Sequence, residues 1–62
     1  MRGADISAAR RQKGISQREL AQRLGRSQSW VRDVENDRLQ ISLNDRQRLI
    51  KALYLDPRQH QV

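Results

Sequence analysis

Apolar residues in this chain recur at helical spacing and nowhere show strand-like alternation, so every element that the pattern predicts is a helix. Residues 4–13, ADISAARRQK, put Ile6 and Ala9 on one face with Ala8 or the Lys13 stem beside them. Gly14 then serves as a stop, because glycine enters the left-handed conformation without penalty. Ser16 and Glu19 have capping-box spacing: the serine accepts from the Glu19 amide and the carboxylate reaches back. The helix they open runs to Leu24, turns Leu20, Ala21 and Leu24 inward, and ends at Gly25. Ser27 is placed to cap a third helix reaching about Asn36, with Val31 and Val34 inward. Asn36 and Asp37 break it, since both tolerate left-handed backbone and compete for the helix's hydrogen bonds. After a loop at 38–41, Ser42 and Asp45 repeat the capping pattern, and residues 43–53 carry Leu43, Leu49, Ile50 and Leu53 at helical spacing. Asp56 and Pro57 suit the cap and first position of a vestigial fifth helix. The expected fold is all-α, a compact domain of four to five helices over residues 1–57, followed by a tail at 58–62.

Two short amphipathic helices joined tightly at Gly25, spanning 16–36, form a helix-turn-helix pattern. Composition narrows what such a unit does. Sixty-two residues make one domain at most, and a chain that short buries only about 60% of its unfolded surface. That leaves no room for a deep catalytic cleft. The chain has no cysteine and one histidine, His60, placed in a polar tail. A disulfide framework, a thiolate metal site and a multi-imidazole zinc site are therefore excluded. No nucleophile–base pair and no glycine-rich phosphate loop is present, so the expectation is no enzyme, no cofactor and no small-molecule substrate. With no cysteine to staple a secreted scaffold, a reducing cytoplasm is the default; no segment approaches the roughly 20 apolar residues of a membrane span, nor is there a signal-peptide core.

Charge gives the positive indication. Thirteen Lys plus Arg oppose seven Asp plus Glu for a net +6, and all the cations but Lys13 and Lys51 are arginine. Arginine's planar fork matches phosphate and guanine edges, whereas lysine is a point charge. A basic surface alone also serves solubility; beside a helix-turn-helix it points to double-stranded DNA.

The run Ile6, Arg10, Gly14, Ser16-Gln17, Glu19-Leu20-Ala21, Leu24-Gly25, Ser27-Gln28-Ser29-Trp30-Val31 and Val34-Glu35 resembles the lambda repressor/Cro-like helix-turn-helix family, known in bacteria as the XRE family. The likeness covers residues 4–57 and agrees in register at the glycine, apolar and Gln/Glu positions. It implies a sequence-specific transcription regulator that binds operators as a homodimer. It also implies a backbone-clamping role for Gln17 and a largely buried ion pair between Arg10 and Glu35.

Independently of the resemblance, helix periodicity leaves Gln28, Ser29, Arg32, Asp33 and Asn36 on the face opposite Val31, Val34 and Glu35. Gln28 and Ser29 lie in the first turn, the end that meets base edges in the major groove. Glutamine pairs with adenine and arginine with guanine in bidentate fashion, making Gln28 and Arg32 the leading base readers and Ser29 a weaker third. Polar residues also simply solvate exposed helices, and the turn motif is what tips the balance. Gln17, at the amino end of its helix, and Arg11, Arg18, Arg26 and Arg38 are candidates for DNA-backbone contact. Asp33 either repels the backbone or accepts from a cytosine amine. Arg26 stands where relatives carry a small or apolar residue and Asp37 where glycine is common. Trp30 admits three roles: core packing, a backbone contact or a dimer contact. Tyr54 is expected at the closing edge of the core. The competing function is a protein-interaction module on the same fold, which an exposed apolar patch around Trp30 and Tyr54 would favour.

Overall fold

The computed structural model describes residues 2–54, which form four helices: α1 (Gly3–Gln12), α2 (Gln17–Leu24), α3 (Gln28–Glu35) and α4 (Leu43–Tyr54). No strand occurs among the described residues. The fifth helix expected at Asp56–Pro57, and His60, lie outside them.

The starts of α2, α3 and α4 follow one chemistry. Ser16, Ser27 and Ser42 each accept, through the side-chain oxygen, the amide of the residue three positions on, at 3.0, 3.1 and 3.1 Å. Each bond satisfies one of the donors that a helix leaves unpaired at its amino end. The reciprocal half of the box at Ser16 differs from expectation: the Glu19 carboxylate takes Arg23, one turn along, at 3.1 Å. An i,i+4 cation in reach competes with the backbone amide for the same oxygens.

The ends of α1, α2 and α3 also share a form, with a left-handed residue just past the helix: Gly14 (φ 71°), Gly25 (φ 67°) and Asp37 (φ 58°). Each helix closes with a pair of returning amides. For α2 these are Gly25 N to Gln22 O at 3.3 Å and Arg26 N to Ala21 O at 2.9 Å, the arrangement that satisfies the last carbonyls. Gly25 allows the chain to reverse within three residues, so α3 starts directly against α2. Asp37 adopts this conformation with a side chain attached, which costs roughly 1–2 kcal/mol, and offsets it with a bond: its Oδ1 accepts Gly3 N at 2.9 Å, capping α1 from 34 residues away.

Ile6, Ala9, Ile15, Leu20, Ala21, Leu24, Val31, Val34, Leu49 and Leu53 form the core, with Trp30, Ile41 and Ala52 packed against it. Ile15 belongs to no helix. It is the residue after Gly14, folded back under α1 by its amide bond to Arg10 O at 3.3 Å. Four expected core residues sit elsewhere. Ala8 is exposed and Ile50 only half-buried, Leu43 is 69% exposed, and Tyr54 is 47% exposed. Helix α4 meets α1 and α2 through Leu49 and Leu53, and Leu43 stands about 120° round the helix from Leu49, off that stripe. Tyr54, about 100° from Leu53, lines a shallow groove with Asp5, Ala8, Ala9 and Gln12 of α1.

The amino end of α1 abuts the carboxyl end of α3. A Cβ on Gly3 would stand 2.3 Å from the Glu35 carbonyl oxygen and 2.5 Å from that of Val34. Only glycine permits this approach, which sets the positive end of one helix dipole against the negative end of another.

Candidate nucleic-acid interface

Helix α3 turns Val31, Val34 and Glu35 inward and leaves Gln28, Ser29, Arg32 and Asn36 exposed, with Asp33 half-buried. Ser27 fixes the helix start through its bond to the Trp30 amide. Gln28 and Ser29 are therefore the first two helical residues, their side chains projecting from the amino-terminal turn. Arg32 stands one turn after Gln28 on the same face. Among the described residues, no hydrogen bond or ion pair engages the side chains of Gln28, Ser29 or Arg32. One exposed face thus presents an amide, a hydroxyl and a guanidinium with their donors and acceptors uncommitted, the groups needed to bond base edges.

Behind this face a buried polar cluster ties three helices together. Arg10 Nε donates to Glu35 Oε2 at 2.6 Å and Arg10 Nη2 to Glu35 Oε1 at 3.2 Å. The remaining guanidinium nitrogen, Nη1, donates to the Ile15 carbonyl at 3.0 Å. The two side chains are 11% and 5% exposed. Gln17, the first residue of α2, adds a donor to Glu35 Oε1 at 3.0 Å. Burial by itself pushes the Glu35 carboxyl up, but hydrogen bonds from Arg10, Gln17 and Ser7 and the Arg10 charge hold it below its ordinary 4.5. The carboxylate is thus ionised and saturated, and no buried side-chain donor or acceptor is left without a partner among the described residues. Chemically this is a clamp joining the carboxyl end of α3 to α1 and to the start of α2.

The arginines read from the sequence as DNA-backbone contacts divide into two groups. Arg11 near the end of α1, Arg18 in the first turn of α2 and Arg38 after α3 are exposed and engage no hydrogen bond or ion pair among the described residues. Arg26 is committed: its Nη2 lies 2.9 and 2.8 Å from the two carboxylate oxygens of Asp45, and its guanidinium carbon is 5.0 Å from the centre of the Trp30 ring. Trp30 is half-buried against the core beneath it. Arg48, which no sequence signal singles out, donates to the Leu24 carbonyl at 2.7 Å and closes the end of α2. Gln17, read from sequence toward DNA, also faces Glu35; one amide hydrogen is used there and one remains. The partners at Gln17, Arg26 and Arg48 lie 18, 19 and 24 positions away, beyond the reach of any local pattern.

Among the described residues, no group of three or more His, Cys, Asp or Glu is placed to hold a metal ion. No helix there is long and apolar enough to cross a membrane. A family model described as a helix-turn-helix domain matches residues 3–61. No curated protein and no solved structure matches the chain at a significant level.

Proposed function

The chain belongs to the helix-turn-helix domain family, and on that premise we propose that it is a sequence-specific double-stranded DNA-binding transcription regulator, cytoplasmic, that lays α3 in the major groove of an operator. One observation carries this reading: the uncommitted Gln28, Ser29 and Arg32 share one face at the start of a helix whose opposite face is buried. In this reading Gln28 pairs with adenine and Arg32 with guanine, and Ser29 adds a weaker contact. Gln17 directs its second amide hydrogen to a phosphate, where the amino end of α2 favours an anion. Arg11, Arg18 and Arg38 neutralise further phosphates and so position the domain without specifying sequence. The DNA-binding domain spans residues 1–57, with the helix-turn-helix at 16–36, and the protein acts as a homodimer on two half-sites about 34 Å apart.

A second reading, docking onto a protein partner, draws on the exposure of Leu39, Leu43 and Tyr54. Those residues lie outside the α2–α3 unit, and Trp30 within it is covered by Arg26, which favours the DNA reading for that unit.

Selection from a random duplex library, followed by titration of the selected sequence and a shuffled control at two salt concentrations, tests the proposal. A shared motif, bound about a thousandfold tighter than the control, is the expected result. Weak, salt-sensitive binding without a motif would overturn sequence-specific regulation and favour the protein-docking reading.

A further inference from the structure

The turn between α2 and α3 is Gly25-Arg26-Ser27, and its middle residue looks on sequence like a spare cation beside the recognition helix. Its side chain instead runs to α4. The Asp45 carboxylate receives Arg26 through both oxygens at 2.9 and 2.8 Å, and Arg48 approaches the same carboxylate at 3.9 Å. Arg48 reaches in turn to the carbonyl of Leu24, the last residue of α2, at 2.7 Å. Arg26 also covers Trp30, the third residue of α3, at 5.0 Å. A single carboxylate therefore gathers two guanidinium groups, of which one holds the end of α2 and the other the start of α3. Asp45's side chain is only 12% exposed. The Arg26 and Arg48 side chains are 41% and 45% exposed, so what sets this cluster apart from an isolated surface pair is its geometry, two short bonds to one carboxylate from a guanidinium that also stacks on a ring, and not deep burial. Ser42 additionally fixes the Asp45 backbone by accepting its amide at 3.1 Å.

Gln28 and Ser29 lie between the two points so secured, the turn and Trp30. Base-edge hydrogen bonds weaken steeply with misalignment, and reading groups need placement within about 0.5 Å and 10–20°. We propose that Arg26, Asp45 and Arg48 form a brace that sets the angle of α3's amino end against α4, making Arg26 a positioning residue for Gln28 and Ser29 and not a phosphate ligand. The inference rests on the DNA-binding reading above. It separates two roles for one cation: a phosphate contact adds affinity to every sequence, whereas a brace adds discrimination.

The test compares the parent chain with Arg26→Ala, Arg26→Lys, Asp45→Asn and the Arg26→Ala/Asp45→Asn double variant, on the selected duplex and its shuffled control. Trp30 is the only tryptophan in the chain, so its emission reports the guanidinium above it in the free protein. Arg26→Ala is expected to lower the selected-to-shuffled affinity ratio about five- to tenfold, to leave the salt slope unchanged and to shift Trp30 emission, and the double variant to be no worse than the single. Arg26→Lys is expected to lose discrimination as well, since an ammonium that reaches Asp45 cannot at the same time lay a planar group over the Trp30 ring. A salt slope shallower by about 0.9 in Arg26→Ala, with the affinity ratio kept, would show a phosphate contact and overturn the brace alone. Full discrimination in Arg26→Lys or Asp45→Asn would overturn it too. A parent chain that selects no motif overturns the DNA reading and this role with it, an outcome visible before any variant is made.

Discussion

Replacing Arg10 by methionine removes a buried cation while keeping a stem of similar length, and leaves the Glu35 carboxylate, 5% exposed, without its counter-charge. Three hydrogen bonds go with it, at 2.6 and 3.2 Å to Glu35 and 3.0 Å to the Ile15 carbonyl. Gln17 and the Ser7 hydroxyl still reach the carboxylate, but neither carries a charge. Breaking a buried pair in this way costs about 3–5 kcal/mol. At about 0.05–0.15 kcal/mol per residue, a domain of this size has roughly 3–9 kcal/mol of stability in all. The substitution therefore takes a third of that or more. Converted at about 4–8 °C per kcal/mol, the unfolding midpoint should fall by about 12–40 °C, or folding should be lost. Far-UV circular dichroism and Trp30 fluorescence during thermal and urea unfolding measure this, and the companion Arg10→Met/Glu35→Leu double variant is the control. The double variant should be more stable than Arg10→Met alone, because it leaves no uncompensated charge inside. A loss below about 1 kcal/mol for Arg10→Met, the range of an exposed pair, would refute the argument that burial makes this pair matter.

Four other outcomes are expected. Gln28→Ala should lose about 1–3 kcal/mol of binding to the selected duplex and relax one base preference without changing the unfolding midpoint; unaltered discrimination would remove Gln28 from base readout. Arg18→Ala should weaken all sequences about equally and flatten the salt dependence by about one unit, which titration across salt concentrations reads directly. Gly3→Ala should destabilise by about 1–3 kcal/mol in urea unfolding, because the added methyl meets backbone oxygens of α3 at 2.3 and 2.5 Å, not side chains that could move aside. Acid should unfold the protein partly through Glu35, whose folded-state pKa lies below 4.5. Its contribution is then complete above about 4.5 and lost as pH falls through the lowered value, so Glu35→Gln should flatten the acid limb of stability measured between about pH 6 and pH 3.

Local rules carried much of the reading of this fold. The serines at 16, 27 and 42 act on amides three residues away, the chain reverses at Gly14 and Gly25, and the stripe on α3 follows from helical periodicity. All of these interactions operate within one helical turn, so the sequence by itself determined where α2, α3 and α4 start, where α1 and α2 stop and which face of α3 is left outward. Tertiary structure decided everything that needed a partner from far along the chain. It placed Leu43 and Tyr54 outside the core, because the contact stripe of α4 depends on where α1 and α2 lie. The backbone of α3 approaches Gly3 so closely that no side chain fits there. Asp37 is turned onto the amino end of α1, 34 residues away, where the sequence showed only an aspartate at a position that is commonly glycine. Most consequential for function, Gln17 faces Glu35 and Arg26 faces Asp45, while Arg32 is left uncommitted. A charged side chain's role depends on which opposite charge the packed helices bring within about 3–4 Å, and neither periodicity nor capping encodes that distance.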